Sequence, residues 1–461
     1  MKLLTGLGKK KDIREKKEQG PGTQELSPRM KFLMGITLFS MFFGAGNLIF
    51  PPYLGAQAGT NAWAAFAGFA VSAVGLPVLG VIAVTVSGGL STLASRVHPK
   101  FAFVYIAVLY LAIGPCLAIP RTASTSFSMA APPFLPESVP EAPVQLLYTL
   151  VFFTAASLVA MHPEKLTEYL GKKLTPVLLL LIVVLFAAAV WNPAGPVADP
   201  APAYESLAPV AGFLYGYQTM DTLAALNFGM LVAINVRERG IREEKAVTKE
   251  TLSAGWIAGA LLLLVYAMLT FTGRLSSSAF PGTADGTEVL IYMAQFLFGK
   301  AGAVILAVIF VIACFNTCVS LLSCCGKYFC GCFPKISYRQ WVWGFAAISM
   351  VLANAGLEAI LKFSVPVLNA IYPMAILLIV LALIHKAVAR FPRIYPFAAL
   401  FCGVSSVLTV FDQQGFVIPG VTALLGMIPA YEAGFGWLLP TAAGAALGII
   451  LDIRNMRKRS R

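Results

Sequence analysis

Apolar residues run along this chain in long stretches separated by short polar or charged loops. Twelve stretches are long enough to be membrane spans, near 32–57, 62–87, 102–130, 145–161, 174–191, 206–235, 251–272, 301–325, 341–355, 357–385, 394–411 and 434–452. A helix needs roughly 20 apolar residues to cross the hydrocarbon core. The pattern predicts an all-α polytopic membrane protein of about 12 transmembrane helices. Asn354 and Gly356 mark the only turn between the ninth and tenth stretches.

Two of the stretches are interrupted. Residues 42–52 read FFGAGNLIFPP inside the first. Each glycine costs about 1 kcal/mol against alanine in a helix, and an internal proline about 3 kcal/mol. At membrane depth the backbone leaves helical geometry only where protein or a wet cavity satisfies its polar groups. Gly44, Ala45, Gly46 and Asn47 therefore predict a break in the first helix. The sixth stretch reads GFLYGYQTMDTLAALNFG over 212–229, with Gly216, Tyr217, Gln218, Thr219 and Asp221 at its middle. A carboxylate at this depth is a functional candidate, because an unpaired charge in lipid is expensive. The competing reading is an aspartate that caps a half-helix or pairs with a neighbouring span. Capping and function coincide where a half-helix amino terminus also attracts a ligand carboxylate. Two breaks, five spans apart, predict two inverted five-span halves followed by two trailing helices.

Composition agrees with a membrane protein. The chain is 58% hydrophobic and 12% charged, with a mean hydropathy of +0.79. Of its 34 Lys and Arg, all but Arg121, Arg274, Lys300 and Lys362 fall in the termini or in alternate loops that face the cytoplasm if the amino terminus does. That is a positive-inside pattern, with both termini cytoplasmic and the protein in the cell membrane. The net charge of +13 is thus topology and contact with anionic lipid, not nucleic-acid binding. Residues 1–30 are expected to be a disordered basic tail, 31–452 one transmembrane domain, and 453–461 a second basic tail. A secretory signal would have a shorter apolar core and a small-residue cleavage site.

Catalytic chemistry is poorly represented. His98, His162 and His385 are the only histidines, and all fall in loops or at span ends. No nucleophile motif accompanies them, which argues against an enzyme. Cys324, Cys325, Cys330 and Cys332 lack the two separated Cys-x-x-Cys knuckles of a zinc site and are read as small apolar residues. No cofactor is expected.

Five segments resemble the branched-chain amino acid:cation symporters, the branched-chain amino acid transport system II carriers. They are LFSMFFGAGNLIFPPYLG (38–55), GLPVLGVIAV (75–84), IGPCLAIPRTAST (113–125), GYQTMDTLAALNFG (216–229) and SVPVLNAIYP (364–373). The resemblance runs from about residue 31 to 450. It implies the leucine-transporter-like five-plus-five inverted-repeat fold, and import of leucine, isoleucine and valine with sodium or, in some members, protons. A proton-coupled amino-acid permease of other specificity is the alternative.

On that resemblance, the substrate carboxylate would lie on backbone N–H groups near Gly44, Ala45 and Gly46, beside Asn47. Its amino group would meet carbonyls around Phe42 and Tyr215. Phe43, Phe213 and Tyr217 are candidates for the apolar pocket, with ordinary helix packing as the competing role. Gly216, Gln218, Thr219 and Asp221 complete the second break. Sodium, a hard cation that takes oxygen ligands, would lie between carbonyls of Ser40 and Phe43 and the eighth-span residues Ala313, Asn316 and Thr317. The family usually has two adjacent hydroxyls there, and Asn316 replaces the first. A hydroxyl bonded back to its own helix is the alternative for Thr317. Arg121, with Glu358 and Lys362 four residues apart on one helix face, is read as an outer gate; a static surface pair is the alternative.

Overall fold

The computed structural model describes residues 25–459 except 137, 163–166, 417–423, 425 and 429. Among the described residues every regular element is helical. Most of the expected basic tail at 1–30 lies outside them. The other tail continues the last helix, Leu438–Arg459.

Among the described residues eight helices are long and apolar enough to cross a membrane, and the bent pair Ala208–Thr219 and Asp221–Glu238 makes a ninth span. One of the eight, the run Ala45–Val86, contains the end of the first expected span and all of the second. Helices Tyr338–Ala353 and Leu438–Arg459 occupy the ninth and twelfth expected positions. Each of the twelve expected spans therefore corresponds to one helix or to a broken pair of helices. Gly286–Phe298, between the seventh and eighth spans, was not expected; Asp285 caps it by accepting from the N–H groups of Thr287 and Glu288.

Both expected breaks are present. The first span is two helices, α1 (Pro28–Phe42) and α2 (Ala45–Ala58), and the sixth is α3 (Ala208–Tyr215) and α4 (Asp221–Glu238). A short 3-10 turn, Gly216–Thr219, joins α3 to α4 across a bend of 49°.

The packing of these halves repeats. The seventh span, Glu244–Ser276, lies along both α1 and α2, and the second, Ala62–Val86, lies along both α3 and α4. Glycines set the closest approaches on each side. A Cβ on Gly273 would fall 1.9 Å from the Pro52 carbonyl oxygen, and one on Gly212 would fall 1.9 Å from that of Ala65. Exchanging the first span with the sixth and the second with the seventh maps one set of contacts onto the other. The third and eighth spans, equivalent under the same exchange, pack on each other. This arrangement places the two breaks side by side in the protein interior.

Candidate functional site

The first break occupies two residues. Phe43 is extended (φ −72°, ψ 95°), and so is Gly44 (φ −130°, ψ −153°). Helix resumes at Ala45, so the unwound segment is shorter than the glycines and Asn47 suggest. Asn47 holds the new start, because its Oδ1 accepts from the Gly44 N–H at 2.9 Å. The first-turn N–H groups of α2, from Ala45 to Asn47, have no acceptor within the helix. They make a small site of positive potential.

The second break ends in a strained residue. Met220 is left-handed (φ 64°, ψ 6°), a region that few side-chain-bearing residues adopt. Such strain clusters at functional sites. Asp221 follows as the first residue of α4 and is 2% exposed. Its Oδ2 accepts from Asn47 Nδ2 at 2.7 Å and from the Tyr266 hydroxyl at 2.6 Å. Asn47 Nδ2 also touches the Tyr266 hydroxyl. One carboxylate oxygen thus joins α2, α4 and the seventh span.

The third span supplies the cation of the site. It loses regular helix at Gly114 (φ −93°, ψ −123°), ahead of Pro115, and resumes at Ala118. Arg121 is carried one turn later and is 3% exposed. Its Nη1 donates to the Gln218 carbonyl at 2.9 Å, inside the second break. The guanidinium lies 5.5 Å from the centre of the Phe50 ring. It is therefore held at the two breaks rather than in an outer gate. Glu358 and Lys362 are exposed on the tenth span, and no ion pair among the described residues joins either one to Arg121. The expected gate trio is not assembled.

A small cavity lies where these parts meet, with about 20 Å³ of free space. Phe42, Gly44, Ala45, Gly46, Asn47, Thr219 and Asp221 line it, as do Arg121 and Thr317. The expected apolar pocket is different. Phe43 turns away to stack on Phe39 and Tyr266. Phe213 packs on Tyr217 and Phe435, and Tyr217 stacks on Tyr372 at 4.2 Å. Tyr215 packs on Phe50 and Tyr53, and Gly216 lies against Ser72. Gln218 contributes only its carbonyl, to Arg121. The apolar wall instead comes from Met41, Ile113, Ala118, Met220, Ala224, Phe228 and Leu321. A second cavity, of about 360 Å³, lies between the third, sixth and eighth spans, lined by Tyr110, Asn227, Lys327 and Cys332 among others. Neighbouring residues Asn227 and Phe228 face the two spaces separately.

Beside the first break, the eighth span carries the expected cation residues. Asn316 Nδ2 donates to Ser40 Oγ at 2.9 Å, while Asn316 Oδ1 is buried with no donor among the described residues. Thr317 Oγ1 donates to the Met41 carbonyl at 3.3 Å, not to its own helix. Ala313 is buried one turn earlier. These residues bring an unpartnered amide oxygen and two hydroxyls to the end of α1, and oxygens of this kind are what a hard cation takes as ligands.

A family model described as "Branched-chain amino acid transport protein" matches residues 28–455. The chain belongs to this family. Among its relatives, the branched-chain amino acid permease BraB of Bacillus subtilis is 38% identical over 91% of this chain and 95% of its own length. The branched-chain amino acid transport system 2 carrier protein of Pseudomonas aeruginosa is also 38% identical, over 91% of this chain and 95% of its own. These relatives are permeases, not enzymes. In structure, the chain is similar to Mhp1, a nucleobase-cation-symport-1 family transporter solved in a closed conformation with bromovinylhydantoin bound. The TM-score is 0.61, with 11% identity and 93% of each chain covered. That likeness establishes the fold alone: the broken-helix, leucine-transporter-like architecture.

Several residues at this family member's site escaped the sequence reading. Tyr266 sits in an unbroken apolar helix, where a tyrosine is ordinary. Ile113, Ala118 and Phe228 carry no polar signal. The break in the third span was signalled by Gly114 and Pro115 together, the same pairing of residue types that marks the first.

Proposed function

We propose that this protein is a secondary active symporter that imports branched-chain amino acids, coupled to sodium, by alternating access. The observation that carries the reading is the meeting of two broken helices and Arg121 around one buried cavity with a mixed polar and apolar wall. Secondary transporters hold their substrate at such places. The family and the relatives' names support leucine, isoleucine and valine as substrates. The cation site is supported by the orphaned Asn316 Oδ1 between the first and eighth spans. The positive-inside pattern supports cytoplasmic termini, which would make the larger cavity beyond Phe228 the inward exit.

A second reading is proton coupling. It is favoured by Asp221, a fully enclosed carboxylate with hydrogen-bond donors but no ion pair within 4.0 Å among the described residues. The two readings separate in proteoliposomes loaded for labelled leucine uptake. A sodium gradient at equal pH should drive accumulation. Accumulation that follows only an imposed proton gradient would replace sodium with Asp221 titration. No uptake of any of the three amino acids under either gradient would remove the substrate assignment.

A further inference from the structure

The cavity holds two groups of opposite charge that do not pair with each other. Arg121 uses Nη1 on the Gln218 carbonyl, and its Nε is buried without an acceptor among the described residues. Its Nη2 makes none of the hydrogen bonds recorded among the described residues and points at α2, where a Cβ on Gly46 would lie 2.7 Å from it. The Asn47 amide and the Tyr266 hydroxyl both donate to Asp221 Oδ2, the Thr219 hydroxyl lies beside the same carboxylate, and none of the hydrogen bonds recorded among the described residues falls on Oδ1. Both side chains line the same small cavity. No ion pair within 4.0 Å joins them among the described residues.

Two buried opposite charges held apart are unfavourable unless something bridges them. Each has lost its hydration, and the attraction across the space between them offsets only part of that loss. Their positions are fixed from outside: Arg121 by the second break, Asp221 by Asn47 and Tyr266. A ligand with a negative end and a positive end would satisfy both. We infer that Arg121 and Asp221 form a zwitterion clamp, in which Arg121 Nη2 and the Ala45 and Gly46 N–H groups take the α-carboxylate and Asp221 Oδ1 takes the α-ammonium. This rests on the amino-acid reading of the site and adds how the backbone of the substrate is told from other small molecules. A guanidinium beside the half-helix amino terminus supplies, permanently, the positive charge that a carboxylate needs in a low-dielectric site. The clamp is indifferent to the side chain, whose place is the apolar wall at Phe42 and Phe228. That wall must part to admit it, since the present free space suits about one water.

The test is equilibrium binding to the purified full chain, with leucine, leucinamide, which lacks the carboxylate, and 4-methylpentanoate, which lacks the ammonium. Wild type should bind leucine at least about 100-fold more tightly than either analogue, the scale for leaving one buried charge unpaired. Arg121→Gln should weaken leucine by a similar factor and leave leucinamide unchanged. Asp221→Asn should weaken leucine and leave 4-methylpentanoate unchanged. Arg121→Lys should recover part of the leucine affinity, and melting in detergent confirms that each variant is folded. Equal loss of leucine and leucinamide in Arg121→Gln, or no loss of leucine, would overturn the clamp. Failure of the branched-chain reading looks different: wild type would bind another zwitterionic amino acid in place of leucine. The same variants, tested with that amino acid and its amide, would still decide the clamp. Wild type that binds no amino acid would overturn both.

Discussion

Asn47 of α2 donates to Asp221 of α4 at 2.7 Å, and this bond ties the two broken helices together at the point where both restart. The same amide side chain also caps its own helix through Gly44. A single residue therefore sets both the local geometry of one break and its position against the other. Tyr266 reaches the same carboxylate oxygen from the seventh span, which packs on both halves of the first.

Because Asn47 and Tyr266 share Oδ2, their loss should not be additive. A hydrogen bond to a charged group is worth about 1.5–3 kcal/mol, or roughly 10- to 100-fold in affinity. Asn47→Ala and Tyr266→Phe should each weaken leucine binding within that range. The double variant should differ from their sum by about 1 kcal/mol. Strict additivity in the double-mutant cycle would show that the two donors act on separate features of the site.

The glycines of the first break differ in what a side chain would strike. A Cβ on Gly44 would lie 2.8 Å from Thr317 Cβ, an atom fixed to the eighth helix. A Cβ on Gly46 would lie 2.7 Å from Arg121 Nη2, the far end of a flexible side chain. Overpacking against a fixed neighbour costs about 1–3 kcal/mol. Gly44→Ala should therefore lower the melting temperature of the purified protein more than Gly46→Ala does. Gly46→Ala should spare stability and impair leucine binding, by displacing the guanidinium. The reverse order of the two melting temperatures would contradict this packing.

The breaks were legible in the sequence because they need residues that helices reject. Gly44, Gly46, Asn47 and Gly216 announce themselves by type. What could not be read was direction. Phe43 looks like a pocket residue by position, but it sits on the unwound segment, so its facing follows local φ and ψ and not the helical repeat. It turns to Tyr266, while Phe42, still helical, faces the cavity. Arg121 was recognisable as a buried charge needing acceptors. Its depth was not, since the irregular turn at Gly114 rotates everything beyond it. Glu358 and Lys362 were grouped with it by charge, by their spacing on one helix face and by their place toward the outer end of a span, and none of these carries information about distance to another helix. Met220 gave no warning, because a left-handed backbone at methionine is imposed by the surrounding fold.

Lys31 and Glu250 form an ion pair of 3.0 Å between α1 and the seventh span. The Glu250 side chain is wholly buried, whereas that of Lys31 is 22% exposed. Removing the lysine strands a carboxylate away from water, which costs about 3–5 kcal/mol in buried pairs. Removing the carboxylate leaves an ammonium able to reach solvent. Lys31→Met should thus destabilise the protein clearly more than Glu250→Gln, measured by melting in detergent. Equal effects would mean that Glu250 reaches water in solution.

The cation site makes the strongest demand on function. If sodium sits between the first and eighth spans, Thr317→Ala removes one of roughly five oxygen ligands and keeps most of the helix surface. The ion should then bind more weakly. Coupling is reciprocal, so the apparent leucine affinity should fall at low sodium by the factor that sodium binding loses, and recover as sodium is raised. Asn316→Ala should behave likewise if its buried Oδ1 is a ligand. Damage to the amino-acid pocket itself would persist at saturating sodium. A deficit that is the same at every sodium concentration would exclude Thr317 as a ligand of the coupling ion. The titration would then be repeated against pH, with Asp221→Asn as the variant expected to lose the dependence.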